Sequence, residues 1–190
     1  VETIKTNTIG TINLSEAARS SKSIKCMVIV TTDKVYKNLE KKIRFKENSS
    51  LGGQDIYSAS KASCEILTES YLKSFYLSKG TKCNIATVRS GNCIGGGDWT
   101  KDRLIPDIMR DASQNKIAPI RNLHHIRPWQ HVLDLLSGYL LLGETLLEKT
   151  SSNVGPWNFG PCLSDHLDVW SAVKILESYW PKIAFKKSKR

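Results

Sequence analysis

An α/β fold on a doubly wound parallel sheet is predicted by three observations. A continuous β-prone run, Lys25-Cys26-Met27-Val28-Ile29-Val30-Thr31, is of the kind buried in parallel sheets, and the run over residues 83–89 reads as a second buried strand. Segments of helical length, 3–20 and 57–78, precede each run. Both strands end in polar chemistry: Thr31-Thr32-Asp33-Lys34 after the first, Arg89-Ser90-Gly91-Asn92 after the second. Ligands of such sheets bind beyond the carboxyl ends of the strands.

In chain order, Ile4, Ile9, Ile12, Leu14, Ala17 and Ala18 give the first helix its apolar side. A lysine-rich loop follows the first strand from 33 to 56, its end marked by Gly52-Gly53. The second helix runs through Leu67, Leu72, Phe75 and Leu77, with Gly80 as its C-cap. After Asn92 comes the loop Gly95-Gly96-Gly97-Asp98-Trp99, then a helix near 102–114 and an extended piece near 117–120. Arg127-Pro128-Trp129 leads into an apolar helix over 131–148. Trp157-Asn158-Phe159 reads as a returning strand and 165–179 as a last helix.

Composition narrows the function classes. With 190 residues and 40% hydrophobic content, the chain can bury a full core. No run of about 18 apolar residues occurs, so no membrane span is expected. The net charge of +10 raises the question of nucleic acid. Its clusters, Lys37, Lys41, Lys42, Arg44, Lys46 and then Lys182, Lys186, Lys187, Lys189, Arg190, do not interleave aromatics in a stacking pattern, and a solvated surface is expected. Cys26, Cys64, Cys83, Cys93 and Cys162 form no C-x-x-C and no metal-ligand set, which points to a reducing, cytoplasmic compartment and no metal.

Asp55-Ile56-Tyr57-Ser58-Ala59-Ser60-Lys61 carries the sharpest chemistry. It reads as a turn entering a helix, with Tyr57 and Lys61 one turn apart on one face. An ammonium near a phenol favours the phenolate, drawing a pKa of about 10 towards the range of a general base.

Taken with Thr31-Thr32-Asp33 at the preceding strand end, this pair resembles the extended short-chain dehydrogenase/reductase family. Within that family the chain is most similar to the nucleotide-sugar 4,6-dehydratases, in particular the branch acting on CDP-glucose. The segments Thr32-Asp33-Lys34-Val35-Tyr36, Leu51-Gly52-Gly53-Gln54-Asp55, Gly95-Gly96-Gly97-Asp98-Trp99 and Arg127-Pro128-Trp129-Gln130-His131 carry the likeness. Many dehydratases of other nucleotide sugars have Asp-Glu where this chain has Asp33-Lys34, and lysine there matches the CDP-glucose branch.

The resemblance implies a Rossmann-type domain and NAD as cofactor. Residues 1–92 would form the carboxyl-terminal half of the NAD-binding domain, with 131–160 packing back onto it. Residues 93–130 and 161–190 would form a smaller substrate-binding region. The implied reaction oxidises C4 of the sugar, eliminates water across C5 and C6, and returns hydride to C6. Thr32, Asp33, Lys34, Tyr57 and Lys61 match the catalytic positions, with the split of acid and base between Asp33 and Lys34 open. Asn7, Thr31, Tyr57 and Lys61 match cofactor contacts, and Arg89, Asn92 and Arg127 are candidate substrate contacts. Arg89 has two available partners, a phosphate or a nearby carboxylate. His131 opens a helix, which suits a cap or packing role better than catalysis, and Trp99 and Trp129 read as anchors.

No glycine-rich dinucleotide motif opens the chain, which starts at Val1 inside a helical pattern with no signal or transit segment. It is expected to be a piece of a longer enzyme, inactive alone, whose intact form is a homodimer with Leu67, Tyr71 and Phe75 as candidate contacts. Other readings are an epimerase or decarboxylase of the same fold, or a basic non-catalytic module that binds nucleic acid.

Overall fold

The computed structural model describes residues 1–38, 43–77, 83–148, 153–162 and 165–188. The expected Gly80 cap and the basic residues Lys41, Lys42, Lys189 and Arg190 lie outside them. The strands among the described residues are β1 (Cys26–Val30), β2 (Asn84–Ser90), β3 (Cys93–Ile94), β4 (Ile117–Ile120), β5 (Ile126–Pro128), β6 (Gln130–His131), β7 (Gly155–Phe159), β8 (His166–Asp168) and β9 (Ala184–Lys187). The chain divides into two compact units, Val1–Gly91 with Asp134–Phe159, and Asn92–Leu133 with Gly160–Arg190.

In the first unit β1, β2 and β7 form a parallel sheet in the order β1-β2-β7. Ser90 pairs with Phe159, so β2 and β7 end level, while Val30 pairs with Val88 and β1 ends two residues short of them. Side chains alternate between the two faces of the sheet. Met27, Ile29 and Ile85 share a core with Ala18, Leu72 and Tyr76, from the helical stretches on either side of β1. Cys26, Val28, Ala86 and Val88 meet Leu142 and Leu146 of the Val132–Leu147 helix on the other face. Moving along the first face, the apolar residues give way to Thr31, Thr87 and Arg89, all buried.

The first helix is three consecutive segments, Glu2–Ile4, a wider π-turn at Lys5–Ile9, and Gly10–Ser20. The second runs over Ile56–Tyr71 and finishes in a π-segment at Leu72–Tyr76. The two helices are tied together by Thr8 Oγ1 donating to Ser60 O (3.2 Å) and Tyr76 OH donating to Ser15 O (2.7 Å). The Ile56–Tyr71 helix starts where it does because the Asp55 side chain accepts from Ser58 N (3.0 Å) and Ser58 Oγ (2.6 Å), an N-cap.

The second unit is built from short pairings: β3 with β6 and β4 with β9 parallel, β5 with β8 antiparallel. Ile108 and Ala112 of the Leu104–Ser113 helix pack with Val169 and Val173 of the Val169–Tyr179 helix, over Ala118, Ile120 and Ile183. The helix expected from 165 begins at Val169, because His166–Asp168 pairs with Ile126–Pro128 and Asp168 then caps it through Ser171 N (2.8 Å). No helix among the described residues is long and apolar enough to cross a membrane.

Candidate active site

Beyond the carboxyl end of β1 the chain turns through a short 3-10 segment, Asp33–Val35. Thr32 is buried, and its Oγ1 donates to Asp33 Oδ1 (3.1 Å) and accepts from Lys34 N (3.4 Å). Asp33 and Lys34 themselves are exposed. Tyr57, the second residue of its helix, is 43% exposed. The Lys34 ammonium stands 5.9 Å from the centroid of the Tyr57 ring, within reach of a cation–π attraction. Lys61, one turn further along the helix, donates from Nζ to Val30 O (3.0 Å), the last carbonyl of β1. Strand end, turn and helix thus bring Thr31, Thr32, Asp33, Lys34, Tyr57 and Lys61 together in one unit.

Two neighbours hold the turn that presents Tyr57. Asn7 Nδ2 donates to Ser60 Oγ (2.9 Å), which donates to Tyr57 O (2.7 Å). Asn7 lies in the π-turn, and its own carbonyl accepts from Thr11 Oγ1 (2.7 Å) and Cys64 Sγ (3.1 Å). The Ser58 hydroxyl and N–H, with the Lys34 charge beyond, hold the Asp55 carboxyl below its ordinary value.

Arg89, one of the expected substrate contacts, is corrected by its surroundings. It is 3% exposed, and its Nε and Nη2 reach Glu65 Oε1 and Oε2 at 2.9 Å each. Its Nη1 donates to Tyr36 OH (2.9 Å) and Glu47 O (2.9 Å). The carboxylate, not a phosphate, is its partner. Burial alone would pull the guanidinium down, but the bonds to Glu65 and Tyr36 outweigh burial and hold it above its ordinary value.

Glu65 is the residue that the sequence reading missed. It lies four residues after Lys61, on the stripe begun by Tyr57, and it too is 3% exposed. Besides Arg89 it accepts from Thr31 Oγ1 and from Thr87 Oγ1 (2.5 Å). The four-residue spacing was a visible signal.

Asn92 and Arg127 belong to the second unit, where both are exposed and Arg127 sits opposite Leu167 on β5. Trp129 anchors there through Nε1 to Leu167 O (3.0 Å), whereas Trp99 is 60% exposed. His131 caps its helix, its Nδ1 accepting from Leu133 N (3.2 Å). In the glycine loop only Gly97 has a left-handed backbone (φ +80°). Among the described residues no group of three or more His, Cys, Asp or Glu is disposed to hold a metal.

Residues 1–155 match the profile of the NAD dependent epimerase/dehydratase family. The chain belongs to this family. Similar members include the CDP-glucose 4,6-dehydratase of Salmonella typhimurium, 41% identical over 95% of this chain and 51% of that protein. The solved dTDP-glucose 4,6-dehydratase of Bacillus anthracis, in complex with NAD, is 27% identical with a TM-score of 0.76, over 98% of this chain and 57% of that one. A UDP-glucuronic acid 4-epimerase of Bacillus cereus shares the family's fold, with a TM-score of 0.77 at 21% identity, over 96% of this chain and 55% of that one. The chain spans about half the length of the first two curated relatives it matches.

Proposed function

We propose that this chain is part of an NAD-dependent 4,6-dehydratase that converts CDP-glucose to its 4-keto-6-deoxy product. The observation that carries the proposal is the Asp33-Lys34 turn beside Tyr57, with the Lys34 ammonium 5.9 Å from the ring centroid. A dehydratase needs two acid/base groups for C5 and C6 beyond the pair that oxidises C4, and an epimerase has no use for them. The 41% identity to the Salmonella CDP-glucose 4,6-dehydratase supports the same reading.

The residues present fit a nicotinamide dinucleotide. Tyr57 offers an exposed ring at the carboxyl edge of a parallel sheet, where such ligands lie. Lys61 carries three N–H donors, one of which binds Val30 O. Lys61 and Tyr57 would hold the nicotinamide half, with Thr31 and Asn7 shaping the floor. NAD, when bound, supplies the acceptor for the C4 hydride and its donor to C6.

The chain's own groups move the protons. Tyr57 takes the proton of the 4-hydroxyl, with the Lys61 charge on the same helical face and the Thr32 hydroxyl at the strand end bonding the same oxygen. Asp33 and Lys34 together supply the base for the C5 proton and the acid for the departing 6-hydroxyl. Asn92 and Arg127 are assigned to the sugar and the diphosphate, the latter because a guanidinium matches phosphate oxygens two at a time. We place the enzyme in the cytoplasm, where its free cysteines stay reduced.

We also propose a homodimer through the first two helices. Tyr71 and Phe75 pack half-buried against the first unit's core, so Ile9, Leu14, Ile66 and Leu77 offer the exposed apolar surface instead.

The test uses the intact protein with CDP-glucose. Lys34→Ala and Asp33→Asn accumulate reduced nicotinamide on the enzyme, because C4 oxidation proceeds and water loss stalls. Release of 4-keto-6-deoxy product at the parental rate by both variants refutes the assignment. Inversion at C4 without water loss by the parent would make it an epimerase.

A further inference from the structure

Glu65 and Arg89 take no part in the steps above, yet they meet both ends of the turn that does. Thr31, which bonds Glu65, comes directly before Thr32, Asp33 and Lys34. Tyr36, which accepts from Arg89 Nη1 at 2.9 Å, comes directly after the 3-10 segment. The Tyr36 hydroxyl in turn donates to Asn158 Oδ1 (2.5 Å) on β7. The amide bonds within the turn are longer, Lys34 N to Thr32 Oγ1 at 3.4 Å, Val35 N to Thr32 O at 3.3 Å and Tyr36 N to Asp33 O at 3.4 Å, although Val35 is buried and its carbonyl accepts from Gly52 N (2.8 Å).

The carboxylate of the pair rides on the helix face that carries Tyr57 and Lys61, at successive four-residue steps. Lys61 grips Val30 O and Glu65 grips the next residue, Thr31. One helix therefore fixes its own Tyr57 and, through the ion pair, the turn bearing Asp33 and Lys34. A buried ion pair adds little net stability over a well-packed apolar pair. What it adds here is directional bonding at fixed points, which apolar contacts do not give.

We infer that the Glu65–Arg89 pair is a positioning element that sets Asp33 and Lys34 against Tyr57, and that it governs water elimination more than C4 oxidation. The inference rests on the dehydration reading for its kinetic half. Its structural half, the fastening of the turn, needs no cofactor or substrate.

The decisive variant is Tyr36→Phe in the intact protein. It removes the hydroxyl between Arg89 and Asn158 and keeps the ring, which stacks on Phe45 at a centroid distance of 4.7 Å. Hydrogen exchange without substrate should accelerate roughly tenfold at the amides of residues 34–36 and stay unchanged in the Ile56–Tyr71 helix. With CDP-glucose, KM and the appearance of reduced nicotinamide should stay within about threefold of the parent, while its disappearance slows by roughly tenfold. Glu65→Gln should slow disappearance further; if it does not fold, Tyr36→Phe alone decides.

Unchanged exchange at residues 34–36 overturns the inference whatever the kinetics. Appearance and disappearance slowed equally would mean a merely structural pair and would also overturn it. A parent that dehydrates no nucleotide sugar refutes the proposed function, and the exchange result still decides whether the pair fastens the turn.

Discussion

Replacing Gly53 by alanine places a methyl group where the end of the lysine-rich loop crosses the first turn of the Tyr57 helix. The added carbon would lie 2.2 Å from Ala59 N, 2.4 Å from Ser58 C and 2.7 Å from Ala59 Cα. All three are backbone atoms, so no side chain can swing aside. Ordinary contact begins at about 3.4 Å, so loop and helix must part by roughly 1 Å. That turn is held by Asp55, whose carbonyl accepts from Ala59 N at 2.9 Å and whose carboxylate caps Ser58, and Tyr57 lies between them. Overpacking of this kind costs roughly 1–3 kcal/mol, which lowers the melting temperature by roughly 3–10 °C. A displacement of about 1 Å at a proton-transfer group costs roughly 10²-fold in rate. The assays are thermal melting by circular dichroism and turnover of CDP-glucose, both on the intact protein. Gly96→Ala serves as the melting control, since nothing lies within 4 Å of its added carbon. A Gly53→Ala protein that melts with the parent and turns over within about threefold of it would refute the reasoning.

Tyr57→Phe should leave nucleotide-sugar binding nearly unchanged and lower kcat by roughly 10²–10⁴; calorimetric titration and turnover assays check both halves. Tyr76 should make the fold sensitive to alkali. Burial pushes its phenol up to about 12, so the stability it contributes is complete below its unfolded value near 10 and is lost as pH rises through 12. Urea midpoints measured across that range should fall more steeply for the parent than for Tyr76→Phe. Light scattering of the intact protein at micromolar concentration should give a dimeric mass, and Ile66→Lys with Leu14→Lys should shift it towards monomer.

The sheet was legible because buried parallel strands advertise themselves. Cys26–Val30 is apolar without a break, Asn84–Ser90 sets Ile85, Ala86 and Val88 among polar residues, and the helix between them starts at a capping aspartate. Strand ends and helical spacing singled out Thr31–Lys34 and the Tyr57/Lys61 pair separately, and it was the family resemblance that implied their gathering. Arg89 was readable only halfway. Its place at a strand end was plain, but Glu65, 24 positions earlier, reads locally as one more charge on a helix. Deciding between them required knowing that odd-numbered residues of β2 face that helix. The π-turns at Lys5–Ile9 and Leu72–Tyr76 leave no local signature, since one extra residue per turn is fixed by packing between helices. In the second unit the extended piece near 117–120 is β4, whereas β5, β6 and β8 escaped notice because they span two or three residues each and β5 contains proline.

The polar end of the first sheet face bears on how the chain assembles. Shifting β2 by one residue against its neighbours would send Thr87 and Arg89 to the opposite face, among Leu142, Leu146 and Tyr139. Val88 would then stand against the Glu65 carboxylate. Each displaced ion would be buried without a partner, at a cost of several kcal/mol. An all-valine strand would slip almost freely by comparison, because one branched apolar side chain replaces another. On this reasoning the ion pair would act as a key for strand alignment, penalising pairings that hydrophobic burial alone would tolerate.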